Sequence, residues 1–76
     1  MKNIGQRIKT LRLDHGMTLQ ELGKEVQFNY SNLSKIERGC RMPSVELLSQ
    51  LAQLYNVEIS YFFEEKEYSP NNKLSY

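Results

Sequence analysis

The sequence predicts an all-α fold, a compact bundle of five short helices, and three observations carry that expectation. Apolar residues recur at helical spacing (i, i+3 or i+4, i+7) in successive segments. Those segments are bounded by residues that start or stop helices: Thr18, Asn29 and Ser44 in front, Gly16, Gly39 and Asn56 behind. No stretch alternates apolar and polar residues as a strand does, and there is no internal repeat or low-complexity tract.

The first helix spans about Ile4 to His15, with Ile4, Ile8 and Leu11 on one face and Arg7, Lys9 and Arg12 around the rest. Gly16 ends it, and His15 is placed to interact with its C-terminal dipole. Thr18 opens the second helix. With Glu21 it forms a T-x-x-E capping box, and Leu19, Leu22 and Val26 make the apolar face. Asn29 caps the third helix, whose buried side is Leu33 and Ile36 and whose stop is Gly39. The loop from Arg38 to Pro43 is polar and basic, and Pro43 forbids helix continuation.

Ser44 caps a fourth helix, about Val45 to Tyr55, closed by Asn56 in the left-handed conformation. It carries two apolar stripes: Val45, Leu48, Leu51, Ala52 and Tyr55, and Leu47, Leu51 and Leu54. Either both are core, or Leu54 joins Ile59, Tyr61 and Phe62 in a dimer interface, because large exposed apolar patches are unusual on soluble monomers. A fifth short helix, about Ile59 to Glu65, is strongly apolar at its start. From Lys66 the chain is polar and rich in Pro and Asn. Residues 1–65 therefore read as one domain, and 66–76 as a flexible tail or the start of a linker.

A chain of 76 residues has a marginal core and gains from a disulfide, a metal or oligomerisation. One cysteine, Cys40, allows no intrachain disulfide, and with the single His15 it falls short of the roughly four ligands of a structural zinc site. Oligomerisation remains. The opening has no apolar signal-peptide region, and no run is long enough to span a membrane, so a cytoplasmic protein with reduced Cys40 is expected. The net charge of +1 hides an asymmetry: residues 1–41 carry +4 and residues 42–76 carry −3. A basic half beside an acidic half favours a polyanion on one side only.

The second and third helices, joined by a tight turn, suggest a helix-turn-helix. The third presents Tyr30, Ser31, Asn32 and Lys35, all able to donate hydrogen bonds, opposite its apolar face. Asn pairs bidentately with adenine, and Ser reaches several bases. Tyr30 either reaches a phosphate through its hydroxyl or packs on a thymine methyl. Backbone N–H groups at the helix starts, around Thr18 and Asn29, attract phosphate, and Gln20 is within reach of one. No nucleophile–base pair, acid dyad, phosphate loop or metal spacing appears, so neither enzyme activity nor a cofactor is expected. Cys40, flanked by Arg38 and Arg41, is the one candidate for redox chemistry, although a lone cysteine is more often inert.

Four stretches, IGQRIKTLR, MTLQELGKEV, YSNLSKIERG and MPSVELLSQLAQLYNVEISYFF, give residues 4–63 a resemblance to the Cro/repressor-type helix-turn-helix family, often called XRE. The opening also looks like that of the SinR-type repressors. The resemblance implies a lambda-repressor-like five-helix bundle that binds double-stranded DNA as a homodimer, usually as a repressor. It puts base contacts at Tyr30, Ser31 and Asn32, and phosphates near Arg38 and Arg41; Lys35, one turn further on, reads as a guanine or phosphate contact, and Arg7 can approach the flanking backbone. It further implies a partly buried ion pair, Arg12–Glu37, tying the first helix to the third. Two positions depart from the family pattern: Gln27 replaces the usual turn glycine, and Leu19 stands where a glutamine is common, with Gln20 following.

The function expected is therefore a sequence-specific repressor whose two recognition helices enter successive major grooves of a pseudo-palindromic operator, with half-sites about 34 Å apart. The alternatives are an activator or restriction–modification controller of the same fold, an antitoxin or anti-repressor module with a protein partner, and the DNA-binding part of a regulator with a separate sensor domain.

Overall fold

The capping residues set the helix boundaries in the computed structural model, which describes residues 4–63. The expected tail, 66–76, lies outside the described residues, as do Glu64 and Glu65. The order is α1 (Ile4–Asp14), α2 (Leu19–Val26), α3 (Tyr30–Glu37), α4 (Val45–Tyr55) and a 3-10 helix (Ile59–Phe63), with no strand among the described residues.

At the front of α2, Thr18 Oγ1 accepts from the Glu21 amide at 3.1 Å and Glu21 Oε1 accepts from the Thr18 amide at 2.8 Å, a complete capping box. Ser44 Oγ accepts from the Leu47 amide at the front of α4. The C-termini share one closure. In each, a residue in the left-handed or neighbouring positive-φ region follows the helix, and the next amide reaches back five residues: Met17 to Arg12, Phe28 to Gly23, Cys40 to Lys35, Val57 to Ala52. This is the Schellman arrangement. Gly16, Gly39 and Asn56 suit it. Gln27, at φ 54°, does not, because its Cβ crowds the backbone there. Gln27→Gly is therefore expected to raise the unfolding free energy by about 1 kcal/mol. A urea midpoint unchanged or lowered would show that the Gln27 side chain recovers that strain elsewhere.

The core takes Ile4 and Ile8 from α1, Leu22 and Val26 from α2, Leu33 and Ile36 from α3, then Leu47, Leu48, Leu51, Ala52 and Tyr55 from α4, and Phe62. Both stripes of α4 are thus largely core. Val45 departs from that expectation by being exposed, and Leu54 is exposed as well. α1 and α3 touch backbone to backbone at Gly5, where any Cβ would collide with the Ile36 carbonyl and lie 2.8 Å from the Glu37 carbonyl.

The fifth element corrects the sequence expectation. Over Ile59–Phe63 it is a 3-10 segment and not an α-helix, packed on α1 and α4 and opened by a Tyr61-to-Glu58 amide–carbonyl bond of i+3 type; the rest of the expected span, Glu64 and Glu65, lies outside the described residues. That tight turn sends Phe62 inward. Expected at a dimer interface, Phe62 is 1% exposed and completes the core of the single chain.

The Arg12 side chain is the polar centre of the fold. Its Nε donates to Glu37 Oε2 at 2.7 Å, Nη2 to Glu37 Oε1 at 2.9 Å, and Nη1 to the Met17 carbonyl at 2.9 Å. One guanidinium therefore ties α1 to α3 and to the loop before α2. The hydrogen bond to Glu37 raises its pKa above the ordinary value, against the opposing effect of burial. Nearby, the Tyr55 ring stacks on His15 and its hydroxyl donates to Met17 Sδ at 3.5 Å. Burial pushes that phenol up, and the Arg12 cation pulls it down by less. The His15 ring nitrogen Nδ1 lies 2.9 Å from the Leu11 carbonyl, at the C-terminal end of α1.

Candidate nucleic-acid interface

The amides of residues 31 and 32 both point at one acceptor. Asn29 Oδ1 accepts from Ser31 at 2.7 Å and from Asn32 at 3.3 Å, which fixes how the first turn of α3 leaves the turn Gln27–Asn29. It also fixes the Asn29 amide: with the oxygen committed to the cap, the NH₂ is the group left to donate outward. Phe28, at the position before this cap, packs half-buried against the core and anchors the turn.

With the cap set and Leu33 and Ile36 facing the core, α3 turns Tyr30, Ser31 and Lys35 to solvent. Tyr30 is 50% exposed. Asn32 is half-buried, so less of its side chain is presented than the sequence alone suggested. Arg38 and Arg41 are exposed just beyond the helix, and Arg38 Nε reaches Ser34 Oγ only at 3.4 Å. The two arginines line a groove with Ile4, Gly5, Met42 and Pro43. Gln20 lines a second cleft, between α2 and the start of α3, together with Asn29 and Tyr30.

Electrostatics favour this side. Glu37 neutralises Arg12 internally, whereas Lys24, Lys35, Arg38 and Arg41 have no carboxylate within ion-pair distance among the described residues. Lys24, on the wall of the α2–α3 cleft, is the residue the sequence reading passed over. Its signal was available, for it stands one helical turn beyond Gln20 on the same face.

Two expected phosphate ligands sit differently from expectation. The Thr18 amide and the Glu21 amide are both consumed by the capping box, which also sets the Glu21 carboxylate at the α2 N-terminus. An anion already placed there opposes a phosphate. Arg7 holds its guanidinium carbon 5.0 Å from the Tyr61 ring centre, a cation–π contact between α1 and the 3-10 helix. Of the expected dimer residues, Leu54 is exposed, Ile59 and Tyr61 are half-buried against the core, and Phe62 is withdrawn as described. Cys40 is an exposed free thiol. Among the described residues there is no cluster able to hold a metal, and no helix is long and apolar enough to cross a membrane.

Comparison with known proteins agrees with this fold. The helix-turn-helix family HTH_3 matches residues 8–62. The transcriptional regulator SinR of Bacillus subtilis is 36% identical over 64 residues, covering 83% of this chain and 58% of that protein. The solved N-terminal DNA-binding domain of SinR superposes with a TM-score of 0.80 at 33% identity, over 90% of this chain and all of that one. The crystal structure of SinR, a master regulator of biofilm formation, in complex with DNA gives a TM-score of 0.74 at 34% identity, over 80% of this chain and 98% of that one. The chain spans about half the length of the curated relatives it matches.

Proposed function

Because the chain belongs to the helix-turn-helix family HTH_3, we propose that it is a sequence-specific DNA-binding transcriptional regulator, a repressor that occupies a pseudo-palindromic operator as a homodimer in the cytoplasm. The observation that carries this reading is the first turn of α3. It is locked by the Asn29 cap, exposes Tyr30 and Ser31, and is followed by the cations Lys35, Arg38 and Arg41, which have no carboxylate within ion-pair distance among the described residues. The solved SinR–DNA complex supports the same assignment, since its fold is matched at 34% identity.

In the proposed complex α3 enters the major groove. Ser31 and Asn32 reach base edges, Lys35 takes a guanine or a phosphate, and Tyr30 touches a thymine methyl or the backbone. Arg38 and Arg41 hold the flanking phosphates, which position the helix without reading sequence. Leu54, Ile59 and Tyr61 contribute the dimer contact, and repression follows from blocking polymerase at the promoter. The reaction class is binding, not catalysis.

Asn32→Ala is expected to weaken binding to the preferred site by about 1–3 kcal/mol while changing affinity for random DNA little. Arg41→Ala should weaken both alike and reduce the salt slope by about one unit. Fluorescence anisotropy on the two duplexes reads both effects. Equal losses on both DNAs for Asn32→Ala would place that side chain at a phosphate and leave the reading of bases to Ser31 and Tyr30.

A further inference from the structure

Lys24 has no place in the sequence-level assignment of DNA contacts, yet it stands in the cleft between α2 and α3. The cleft is lined by Gln20, Gly23, Lys24, Phe28, Asn29 and Tyr30. At its base α2 and the turn approach backbone to backbone at Gly23, where a Cβ would lie 2.7 Å from the Phe28 carbonyl and 3.6 Å from the Tyr30 amide. Lys24 is exposed and has no carboxylate within ion-pair reach among the described residues. Asn29, its oxygen committed to the α3 cap, has its NH₂ left to donate at the cleft wall. Gln20, four residues before Lys24, brings a second side-chain amide to the same wall. Every polar side chain at the cleft can therefore donate, and the only charge is positive.

The N-terminus of α2 is the opposite. There Leu19 is half-buried, the Glu21 carboxylate already sits at the amides, and the capping box uses the Thr18 amide. An anion approaching α2 meets the Glu21 carboxylate at the helix start, whereas the Gln20–Lys24 face offers it an amide donor and a cation. We propose that this cleft seats one phosphate of the DNA backbone, with Lys24 as its cation and Gln20 and Asn29 as hydrogen-bond donors. This rests on the DNA-binding reading above and adds to it a phosphate site displaced from the start of α2 into the α2–α3 cleft. Lys24 thus fixes the seating of α3 through the backbone and carries no sequence information of its own.

The test measures affinity against potassium chloride concentration for the wild-type protein and for Lys24→Gln, on a duplex bearing the preferred site and on a scrambled duplex. Lys9→Gln, on α1, is the control for loss of one surface charge. Each neutralised phosphate contributes about 0.9 to the slope of log K against log salt, so Lys24→Gln should lower the slope by about 0.9 on both duplexes. Lys9→Gln should leave it unchanged, and Lys24→Arg should restore it. A Lys24→Gln slope equal to wild type, with an unchanged thermal melt, overturns the cleft site and leaves the DNA-binding reading intact. A loss on the preferred duplex alone also overturns it, since Lys24 then reads a base. Absence of wild-type binding to either duplex overturns both.

Discussion

Glu37→Ala is expected to destabilise the fold by about 3 kcal/mol, because it strands Arg12 inside the protomer. The two side chains are nearly buried, 10% and 5% exposed, and pair through two parallel hydrogen bonds. Removing the carboxylate leaves Nε and Nη2 without acceptors, and only the Met17 carbonyl remains to Nη1. The loss exceeds that of a surface ion pair, typically below about 1 kcal/mol, for that reason. The same cation also holds the loop before α2, so the damage extends toward the helix-turn-helix. Chemical denaturation of the variant checks this. A melt unchanged from wild type would mean that water reaches the guanidinium and that the pair is a surface one.

Phe62→Ala should cost about 3–5 kcal/mol, the usual range for deleting a buried aromatic side chain. Phe62 is among the largest fully buried side chains and joins the 3-10 helix to α1 and α4. A domain of this size has only about 4–11 kcal/mol to lose, so the variant should forfeit a large share of its stability and melt at a much lower temperature. Leu54→Ala is the comparison, since Leu54 is 37% exposed and its truncation leaves no comparable cavity. If Phe62→Ala changed the oligomeric state while leaving the monomer's melt intact, Phe62 would belong to an interface and not to the core.

How far the fold was legible follows from where the signals are local. The Thr18–Glu21 box, the Asn29 and Ser44 caps and the Asn56 stop depend on residues within a few positions of each other, and they appear where the spacing put them. The five-helix count was not legible at its end. Ile59, Tyr61, Phe62 and Phe63 cannot all be buried on one short segment, and only packing decides that Phe62 turns inward while Phe63 stays 48% exposed. Gly5 gave no sign of its role, because a glycine in a helix is informative only once the Ile36 carbonyl lies against it.

The site divides the same way. Residue types suggested Tyr30, Ser31 and Asn32 in the first turn of α3 and Lys35 one turn on; Tyr30, Ser31 and Lys35 face outward, and Asn32 is half-buried. The engagement of Arg7 with Tyr61 spans most of the chain and has no sequence period. Thr18 suits both a helix cap and a phosphate contact by residue type, and its amide is the one that donates to Glu21 in the capping box. Lys24 shares a helix face with Gln20 in the sequence, and the turn that brings Asn29 and Tyr30 beside α2 completes the cleft around it.

The central claim, a dimeric sequence-specific regulator, is tested most directly by incubating the purified protein with sheared genomic DNA at near-physiological salt and sequencing the recovered fragments. The account predicts enrichment of a two-fold symmetric motif whose half-site centres lie about one helical turn, 34 Å, apart. Recovery of fragments with no shared motif, or of none above background, would contradict it.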